Sequence, residues 1–443
     1  MRRKINIDQQ KLLIDNISKY KNNIWCPKIN LQMNKVNNNT WFTEYCSINK
    51  KVNVITNNDK KILKCIQVTL ELKKEQKIII NKWLDTFIEM YNLTLKHIKQ
   101  KFILIKDNNK SRKINKIIVN YFKIKNELKI IKQKLINKIL NKKNKIPIHE
   151  LDKAIKLACS NYLSAISNFN SGNFKKFHLR YWKQTKNIKI MEFEKTSITN
   201  GNICKTKLGK VNATYNGVKF ELNNIKHDCK LIYKDNKYIL SIPIDVKQKQ
   251  IVNRDNLISI DLGVRTFITG LSEDHVYEIG DNCYEKIKQK LLNIHKINNN
   301  KNIPVKIQQK NEKKNYKKLQ NLTNELHWKS ISNLVKKYDT IIIGDMSVKK
   351  IVSNNNVNQM NDMVKQVLNK LNIFKYKQRL QYKCEEYNVK LKIVNEAYTS
   401  KICSCCGKLN KELGNNKIFK CKSCNIIIKR DINGSRGIYL KSL

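Results

Sequence analysis

The sequence predicts an α/β domain in the last third of the chain, preceded by a helical module and a small β-barrel-like module. Residues 75–105 and Ile148–Phe169 keep the spacing of amphipathic helices, with further helical periodicity between them. From residue 188 to about 250 the period changes to short alternating runs split by Asn, Gly and Asp turns. Beyond Leu257, apolar strands alternate with long helices, which is typical of an α/β domain.

The first part of the chain divides by these patterns into three segments. Residues 1–60 are polar and Asn-rich with weak periodicity, so we interpret them as an N-terminal extension. Residues 61–75 and 188–250 carry alternating runs and are predicted to form one β-barrel-like module. Residues 76–187 form the helical module, in which any single lysine suits a solvated helix face better than a binding role.

Residues 251–443 are predicted to form the α/β domain. Its predicted elements, in chain order, are the strands Leu257–Ile260 and Thr266–Gly270, a helix at 305–337, the strand Thr340–Ile343, a helix at 362–387 and the strand Val389–Val394. The Asn-rich segments 298–302 and 353–361 are expected to be loops. A last short helix is predicted to begin at Asp431.

The chain carries far more positive than negative charge. Lys and Arg number 89 against 35 Asp and Glu, for a net charge of +54 that is spread along the whole length. A codon preference for Lys, Asn and Ile accounts for part of this pattern, but it does not explain why Asp and Glu are scarce. Nucleic acid is the expected partner, because each neutralised phosphate releases a counterion.

The distribution of the 13 cysteines indicates a reducing compartment, either the cytoplasm or the nucleus. Eight are scattered singly, and the other five lie between residues 403 and 424. No apolar run approaches the ~18 residues of a membrane span. The N-terminus also lacks the apolar core of a secretory signal, so no membrane association is expected.

Two C-x-x-C pairs predict a zinc site near the C-terminus. Cys403 and Cys406 form one pair, Cys421 and Cys424 form the other, and fourteen residues separate the pairs. Two such pairs on tight turns place four thiolates at the corners of a tetrahedron, the geometry that Zn²⁺ prefers. A redox role is the alternative for a C-x-x-C pair, but two pairs in a basic, hairpin-like segment favour zinc. Because four cysteine ligands leave no open coordination position, this zinc is predicted to be structural.

Acidic residues follow the predicted strands and open the last predicted helix. They are Asp261 after the first strand, Asp345 and Glu396 after the third and fourth strands, and Asp431 at the helix start. Side chains at the ends of adjacent strands converge, and carboxylates there can hold two Mg²⁺ ions for phosphodiester cleavage. Each acid also has a structural alternative, since Asp and Asn are common at strand ends and helix caps. Arg430 is a candidate to neutralise phosphate charge, or else to form a salt bridge.

Three segments of this domain can be compared with known proteins. They are Ile258-Ser-Ile-Asp261-Leu-Gly-Val-Arg-Thr-Phe, Thr399-Ser-Lys-Ile-Cys403-Ser-Cys-Cys406-Gly407 and Arg430-Asp431-Ile-Asn433. They resemble TnpB proteins and their eukaryotic and viral relatives, the Fanzors, which are transposon-encoded, RNA-guided DNA endonucleases related to type V CRISPR effectors. Weaker matches extend the resemblance over about 61–443, and include Tyr91-Asn92 and Leu326-His327.

The resemblance implies an architecture and an activity. It implies an RNase H-like (RuvC) nuclease domain at 251–443 with a zinc-knuckle insertion at about 400–428, a wedge-type β-barrel at 61–75 and 188–250, and a helical recognition lobe at 76–187. It further implies Mg²⁺-dependent endonuclease activity, with a guide RNA that pairs with a double-stranded DNA target. Asp261 matches the family's first catalytic Asp, and Asp431 matches its last.

The middle catalytic residue departs from the usual TnpB pattern. TnpB proteins usually carry Glu directly after the strand that matches Thr340–Ile343, and here that position is Gly344. The Fanzor-like branch implies that the acid has moved to Glu396. We therefore predict a DNA endonuclease with catalytic Asp261, Glu396 and Asp431, and with Asp345 and Arg430 in reserve. The alternatives are a broken site in an RNA-guided protein that binds DNA without cutting, and a transposase that itself joins strands.

Overall fold

The structure, a computed structural model, describes part of the chain: residues 28–30, 53–55, 62–106, 119–138, 145–173, 178–183, 188–249, 251, 254–273, 275–300, 302–346, 348, 361–414 and 416–443. Most of the predicted N-terminal extension and the predicted loop at 353–360 therefore lie outside the described residues. The chain divides into two compact units. One is Leu63–Val246, and the other comprises Lys247–Leu443 together with the described residues up to Ile62.

The described strands are β1 (Lys28–Asn30), β2 (Asn53–Ile55), β3 (Ile62–Glu71), β4 (Ile188–Phe193), β5 (Ile198–Thr199), β6 (Asn202–Ile203), β7 (Gly209–Lys210), β8 (Asn212–Tyr215), β9 (Val218–Phe220), β10 (Cys229–Lys234), β11 (Lys237–Val246), β12 (Asp255–Leu262), β13 (Ile268–Leu271), β14 (Val276–Ile279), β15 (Tyr338–Gly344), β16 (Lys390–Val394), β17 (Ile418–Lys420) and β18 (Ile427–Lys429). The described α-helices are α1 (Lys74–Lys106), α2 (Tyr121–Glu127), α3 (Lys129–Asn137), α4 (Ile148–Asn170), α5 (Cys283–Asn299), α6 (Val305–Lys337), α7 (Asp362–Leu371), α8 (Ile373–Tyr387) and α9 (Arg430–Leu440).

The Leu63–Val246 unit contains a six-stranded sheet in the order β4-β10-β11-β3-β8-β9. The closed barrel predicted from 61–75 and 188–250 is not confirmed, because the described pairing is linear with β4 and β9 at its edges. β9 is only three residues long, so it offers few hydrogen bonds with which to close the sheet. The short strands β5, β6 and β7 form a separate three-stranded sheet.

The helices of this unit share one hydrophobic core with its strands. Trp83 of α1 is fully buried and meets Phe193 of β4 edge to face, with 6.3 Å between ring centroids. Ile155 of α4 and Leu231 of β10 belong to the same buried cluster. The helical segment and the β-segment, which the sequence patterns separate, therefore stabilise each other by burying apolar area together.

The second unit is built on a seven-stranded sheet in the order β1-β14-β13-β12-β15-β16-β2. The central strands β12, β15 and β16 are parallel, and the pairs on either side of them are antiparallel. Because side chains alternate along a strand, Ile341 and Ile343 enter the core with helices α5 to α8, while Ile342 packs on the opposite face against Ile438 of α9. The parallel strands are thus covered on both faces by helices, as their continuous apolar sequence requires.

Several predicted elements of this unit differ from the observed ones. The single helix predicted at 362–387 is wrong: Asn372 has a left-handed backbone, with φ of 50°, and separates α7 from α8. Strand β14 and helix α5 have no predicted counterpart. Two three-residue strands from the predicted N-terminal extension pair with the sheet edges. Among the helices that the structure describes, none has the length and apolarity needed to span a bilayer.

Candidate active site and metal centre

Two acidic residues lie at the carboxyl edge of the parallel strands. Residue Ile260 of β12 pairs with Ile343 of β15, and Gly344 pairs with Val394 of β16. Asp261 follows the first of these pairs, and Glu396 follows the last strand by two residues. The parallel register therefore brings the ends of three strands to one edge, as a convergent site requires.

Glu396 fills the space that a side chain at position 344 would take. A Cβ atom built on Gly344 would lie 2.3 Å from Oε2 of Glu396 and 3.0 Å from its Cβ. A real Cβ atom does not tolerate a contact of 2.3 Å, so a side chain at position 344 would require the Glu396 side chain to move from its present position. The absence of a side chain at Gly344 thus makes room for Glu396. A carboxylate enters this space from the residues after β16 rather than from the end of β15.

Helix α9 carries the third acid to the same edge. The Ser435 hydroxyl donates a hydrogen bond of 2.8 Å to the carbonyl of Ser259 on β12, which fixes the helix across the sheet. Asp431 lies one turn earlier on α9, in its first turn. Gly434 permits this approach, since a Cβ atom there would lie 2.4 Å from Oδ2 of Asp261. The close contact between α9 and β12 therefore depends on a residue without a side chain.

The three carboxylates resist ionisation. Burial raises the pKa of Asp261 well above its usual range, and repulsion from Glu396 and Asp431 adds to the shift. Burial also raises the pKa of Glu396 to about 7. Burial likewise raises the pKa of Asp431, although the guanidinium groups of Arg430 and Arg265 oppose it. Since a cation would relieve this repulsion, the donor set suits a hard, oxygen-binding divalent ion.

The acids are neighbours without converging on one ion position. In the described part of the chain, only the cysteine cluster brings three or more Asp, Glu, His or Cys side chains within 4.8 Å of one another. Asp261 nevertheless senses the charges of both Glu396 and Asp431. The structure therefore places the three acids near one another without gathering them into a single ligand cluster.

The two reserve residues contact the site in different ways. Asp345 is exposed, and its Oδ1 accepts a hydrogen bond of 3.2 Å from the backbone N–H of Glu396. Its charge raises the pKa of Glu396, so it acts on the glutamate as a neighbour. Arg430 donates a hydrogen bond of 2.9 Å to the carbonyl of Gly414, and its charge lowers the pKa of Asp261 and Asp431.

The four cysteines of the two C-x-x-C pairs come together at one point. Cys403 Sγ lies 3.6 Å from Cys424 Sγ, and Cys406 Sγ lies 3.5 Å from Cys421 Sγ. A tetrahedron with Zn–S bonds of 2.3 Å has edges of roughly 3.8 Å, so the cluster is close to the size that zinc requires. Burial raises the pKa of Cys403 and Cys406, whereas the N–H groups of Cys424 and Ser423 lower the pKa of Cys421 to about 7.

Asn433 joins the cysteine cluster to the helix that carries Asp431. Its amide donates a hydrogen bond of 2.8 Å to the carbonyl of Ile402 and accepts one of 3.0 Å from the N–H of Ser404. Asn433 is fully buried, so each lost partner would leave an unsatisfied polar group. The first cysteine turn and the start of α9 are therefore held in one geometry.

Sequence reasoning did not find all the residues that shape this site. Lys377 of α8 donates a hydrogen bond of 2.8 Å to the carbonyl of Met346, and its charge lowers the pKa of Glu396. The same helix carries other lysines, and nothing in the sequence distinguishes Lys377 from them. Gly434 did carry a signal, because an isolated glycine inside a predicted helix indicates close packing or function.

Comparison with known proteins points to one group. Residues 374–438 match the family model for the Cas12f1-like TNB domain, a range that contains Glu396, Asp431 and the four cysteines. The chain is 31% identical to TnpB-like protein L79 of Acanthamoeba polyphaga mimivirus, over 82% of this chain and 70% of the relative. It is 26% identical to "Putative transposase R186" of the same virus, over 95% and 90% of the two chains. It is also 27% identical to the CRISPR-associated endodeoxyribonuclease Cas12f1 of Sulfoacidibacillus thermotolerans, over 24% of this chain and 26% of that protein.

Proposed function

The chain belongs to the TnpB-like protein family, and from that premise we propose that it is an RNA-guided DNA endonuclease of a transposable element. The observation that carries the proposal is the exchange between Gly344 and Glu396, whose carboxylate fills the space above the glycine. In an inactive site, nothing would favour an acidic side chain in that space. Asp261, Glu396 and Asp431 are the proposed catalytic residues.

We propose that these three carboxylates bind two Mg²⁺ ions. Their raised pKa values and mutual repulsion fit a site made for cations. When bound, such ions activate a water molecule and stabilise the leaving oxygen of the phosphodiester. The positive charges of Arg430 and Lys377 offset part of the negative charge of the carboxylates.

The proposed structural cofactor is one Zn²⁺ ion on Cys403, Cys406, Cys421 and Cys424. The sulfur–sulfur distances support it. Four thiolates leave no open coordination position, so this ion would hold the knuckle together and take no part in hydrolysis. Through Asn433 it would also hold the start of α9.

The proposed partners are a guide RNA and a double-stranded DNA target, in a nuclear or cytoplasmic reducing compartment. The net charge of +54 supports binding to nucleic acid. Within the proposed architecture, 251–443 is the RuvC-like nuclease domain with its knuckle at about 400–428. The sheet strands of 61–75 and 188–250 are the wedge, and 76–187 is the recognition lobe.

The decisive experiment removes and then relocates the middle acid. Protein purified with its own RNA should cut a matching DNA target in millimolar Mg²⁺. Glu396→Ala should lower the cleavage rate by at least about 100-fold, because a metal ligand is lost. The double variant Gly344→Glu with Glu396→Gly should recover at least about tenfold over Glu396→Gly alone, since the new acid enters the emptied space.

Two controls give this experiment its meaning. Asp362→Ala removes an exposed acid that pairs with Lys365 on its own helix, and it should cut like the wild type. Gly344→Glu alone should cut poorly, because two side chains would compete for one space. Unchanged cleavage by Glu396→Ala would contradict the proposed site. Guided binding of DNA without any cleavage by the wild type would instead establish an inert RNA-guided binding protein, for which Gly344 is the supporting feature.

A further inference from the structure

A short segment without helix or strand structure, residues 178–183, lies against helix α1 in the Leu63–Val246 unit. Its sequence is His-Leu-Arg-Tyr-Trp-Lys, so it combines two fixed cations, an imidazole and two aromatic rings. Leu179 and Trp182 are half-buried against the core of the unit. The other four side chains, those of His178, Arg180, Tyr181 and Lys183, are exposed. We call residues 178–183 the basic-aromatic strip.

The backbone of the strip is fixed by side chains of α1. The Asn92 amide donates a hydrogen bond of 2.8 Å to the carbonyl of Trp182 and accepts one of 2.7 Å from the N–H of the same residue. Lys99 donates a hydrogen bond of 2.7 Å to the carbonyl of Leu179. The six-residue segment is therefore held near both ends, at Leu179 and Trp182, although it forms no sheet ladder.

The aromatic residues of the strip are held in a similar way. The Trp182 ring meets Tyr91 edge to face, with 5.7 Å between centroids, and the Tyr91 hydroxyl accepts a hydrogen bond of 3.0 Å from Asn161. The Lys99 ammonium lies 4.1 Å from the centre of the Tyr181 ring. Tyr181 is 47% exposed, so Lys99 covers part of the ring and leaves the rest open to solvent.

A partly open aromatic ring between exposed cations has the chemistry that single-stranded nucleic acid requires. A base can stack on the open part of Tyr181, while Arg180 and Lys183 neutralise the flanking phosphates. Lys99 makes the ring environment more favourable for the electron-rich groups of a base and its phosphates. Because the backbone is already ordered by Asn92 and Lys99, binding costs little conformational entropy.

We propose that the basic-aromatic strip is a contact site for single-stranded nucleic acid, in which Tyr181 stacks on a base and Asn92 acts as its positioning residue. This deepens the proposed function, on which it rests for the identity of the bound strand. RNA and DNA share the chemistry that the strip recognises, and the experiment below distinguishes them.

The test measures binding by the full chain, without Mg²⁺ so that nothing is cut. The probes are fluorescein-labelled 20-nucleotide oligouridylate RNA and oligothymidylate DNA, titrated at several salt concentrations. Tyr181→Ala should weaken binding at least about fivefold at every salt concentration, because the stack is lost. Tyr181→Phe should bind like the wild type. Arg180→Gln should make the slope of log affinity against log salt shallower by about 0.7, because one phosphate contact is lost.

Asn92→Ala tests the positioning role. It should weaken binding about as much as Tyr181→Ala, and the double variant should be no weaker than either single one, because an unpinned strip no longer presents the ring. The melting temperature of each variant is measured beside its affinity. A loss of affinity in Asn92→Ala that is fully additive with Tyr181→Ala would contradict positioning and indicate a merely structural residue.

The matched control is Tyr215→Ala, which removes another half-exposed tyrosine of the same unit. It should bind like the wild type, and an equal loss in both tyrosine variants would overturn the proposal. So would wild-type affinity of Tyr181→Ala for both probes. A loss for RNA alone assigns the strip to the guide, and a loss for DNA alone assigns it to a displaced target strand. If Tyr181→Ala binds weakly but the wild type never cuts DNA, the strip proposal stands and the endonuclease proposal fails.

Discussion

Glu396 makes the ionisation of the candidate active site depend on pH near neutrality. Burial raises its pKa to about 7, so near neutral pH about half of the metal-free molecules hold a proton on this carboxyl. We expect the DNA cleavage rate at limiting Mg²⁺ to rise as the pH increases through about 7 and to level off above it. Because Mg²⁺ competes with the proton, more Mg²⁺ should move the midpoint to lower pH.

The neighbour Asp345 provides the control for this pH dependence. Its negative charge raises the pKa of Glu396, so Asp345→Asn should move the midpoint of the rate profile to lower pH. Cleavage rates are measured from pH 5.5 to 9 at two Mg²⁺ concentrations. A profile that is flat between pH 6 and 8 at limiting Mg²⁺, or a midpoint that Mg²⁺ does not move, would contradict a titrating metal ligand at position 396.

Single residues also show how far the sequence could predict the site. Asp261 and Glu396 were predictable because each follows an apolar strand, and parallel strands bring their ends to one edge. Lys377 was not, because its role depends on which face of α8 meets the loop after β15. The conflict between a side chain at position 344 and Glu396 could not be predicted either, since it exists only once the register of β15 and β16 is fixed.

Among the larger elements, the cysteine knuckle and helix α9 form one mechanical unit. Strand β18 runs directly into α9, and the N–H of Arg430 donates a hydrogen bond of 2.8 Å to the carbonyl of Lys417. Asn433 then holds the first cysteine turn against the helix. Disturbing the proposed zinc site should therefore displace Asp431, although the proposed ion would take no part in hydrolysis.

This coupling predicts that loss of zinc and loss of cleavage go together. Cys421→Ser should reduce the zinc content from about one ion per chain to well below half, measured by atomic absorption, because a serine hydroxyl replaces a thiolate ligand. DNA cleavage should fall at least about tenfold, a loss of the kind seen when supporting partners of a metal site are removed. Cys405→Ser is the matched control, and it should keep both the zinc and the activity.

Asn433→Ala separates the two parts of this prediction. It keeps all four cysteines, so zinc should stay bound, but the buried hydrogen bonds to Ile402 and Ser404 are lost. Cleavage should then fall while the zinc content is unchanged. Full activity in a zinc-free Cys421→Ser protein would show that α9 needs no support from the knuckle.

At the same scale, long periodic elements were predictable and short or interrupted ones were not. Helix α6 was expected at 305–337 and is observed at Val305–Lys337, because its apolar residues keep helical spacing over many turns. Strand β14 has only four residues, too few for an alternating pattern to stand out. The break between α7 and α8 depends on one asparagine, a residue that adopts the left-handed conformation more readily than most and yet is common in this chain.

The whole chain carries a large excess of positive charge, which can be read from the sequence alone. Ion pairs with acidic residues cannot neutralise this excess, because only 35 acids face 89 basic residues. The closed barrel predicted from 61–75 and 188–250 is not confirmed. Closure of a sheet depends on pairing between strands that are distant in sequence, which sequence patterns do not reveal. Composition is a property of the chain and survives folding unchanged, whereas long-range pairing is decided only by the fold.

The charge predicts a steep salt dependence for nucleic-acid binding by the full chain. If six or more phosphates are neutralised, affinity for a nonspecific single-stranded RNA should fall by about 300-fold or more between 50 and 200 mM salt. Because the excess is spread along the chain, removing two exposed lysines of α6 with Lys310→Gln and Lys313→Gln should change the slope by at most about 1.4. Fluorescence anisotropy at five salt concentrations measures both quantities. A shallow wild-type slope, or a slope that this one pair of substitutions largely abolishes, would show that binding rests on a few focal charges instead of the distributed excess.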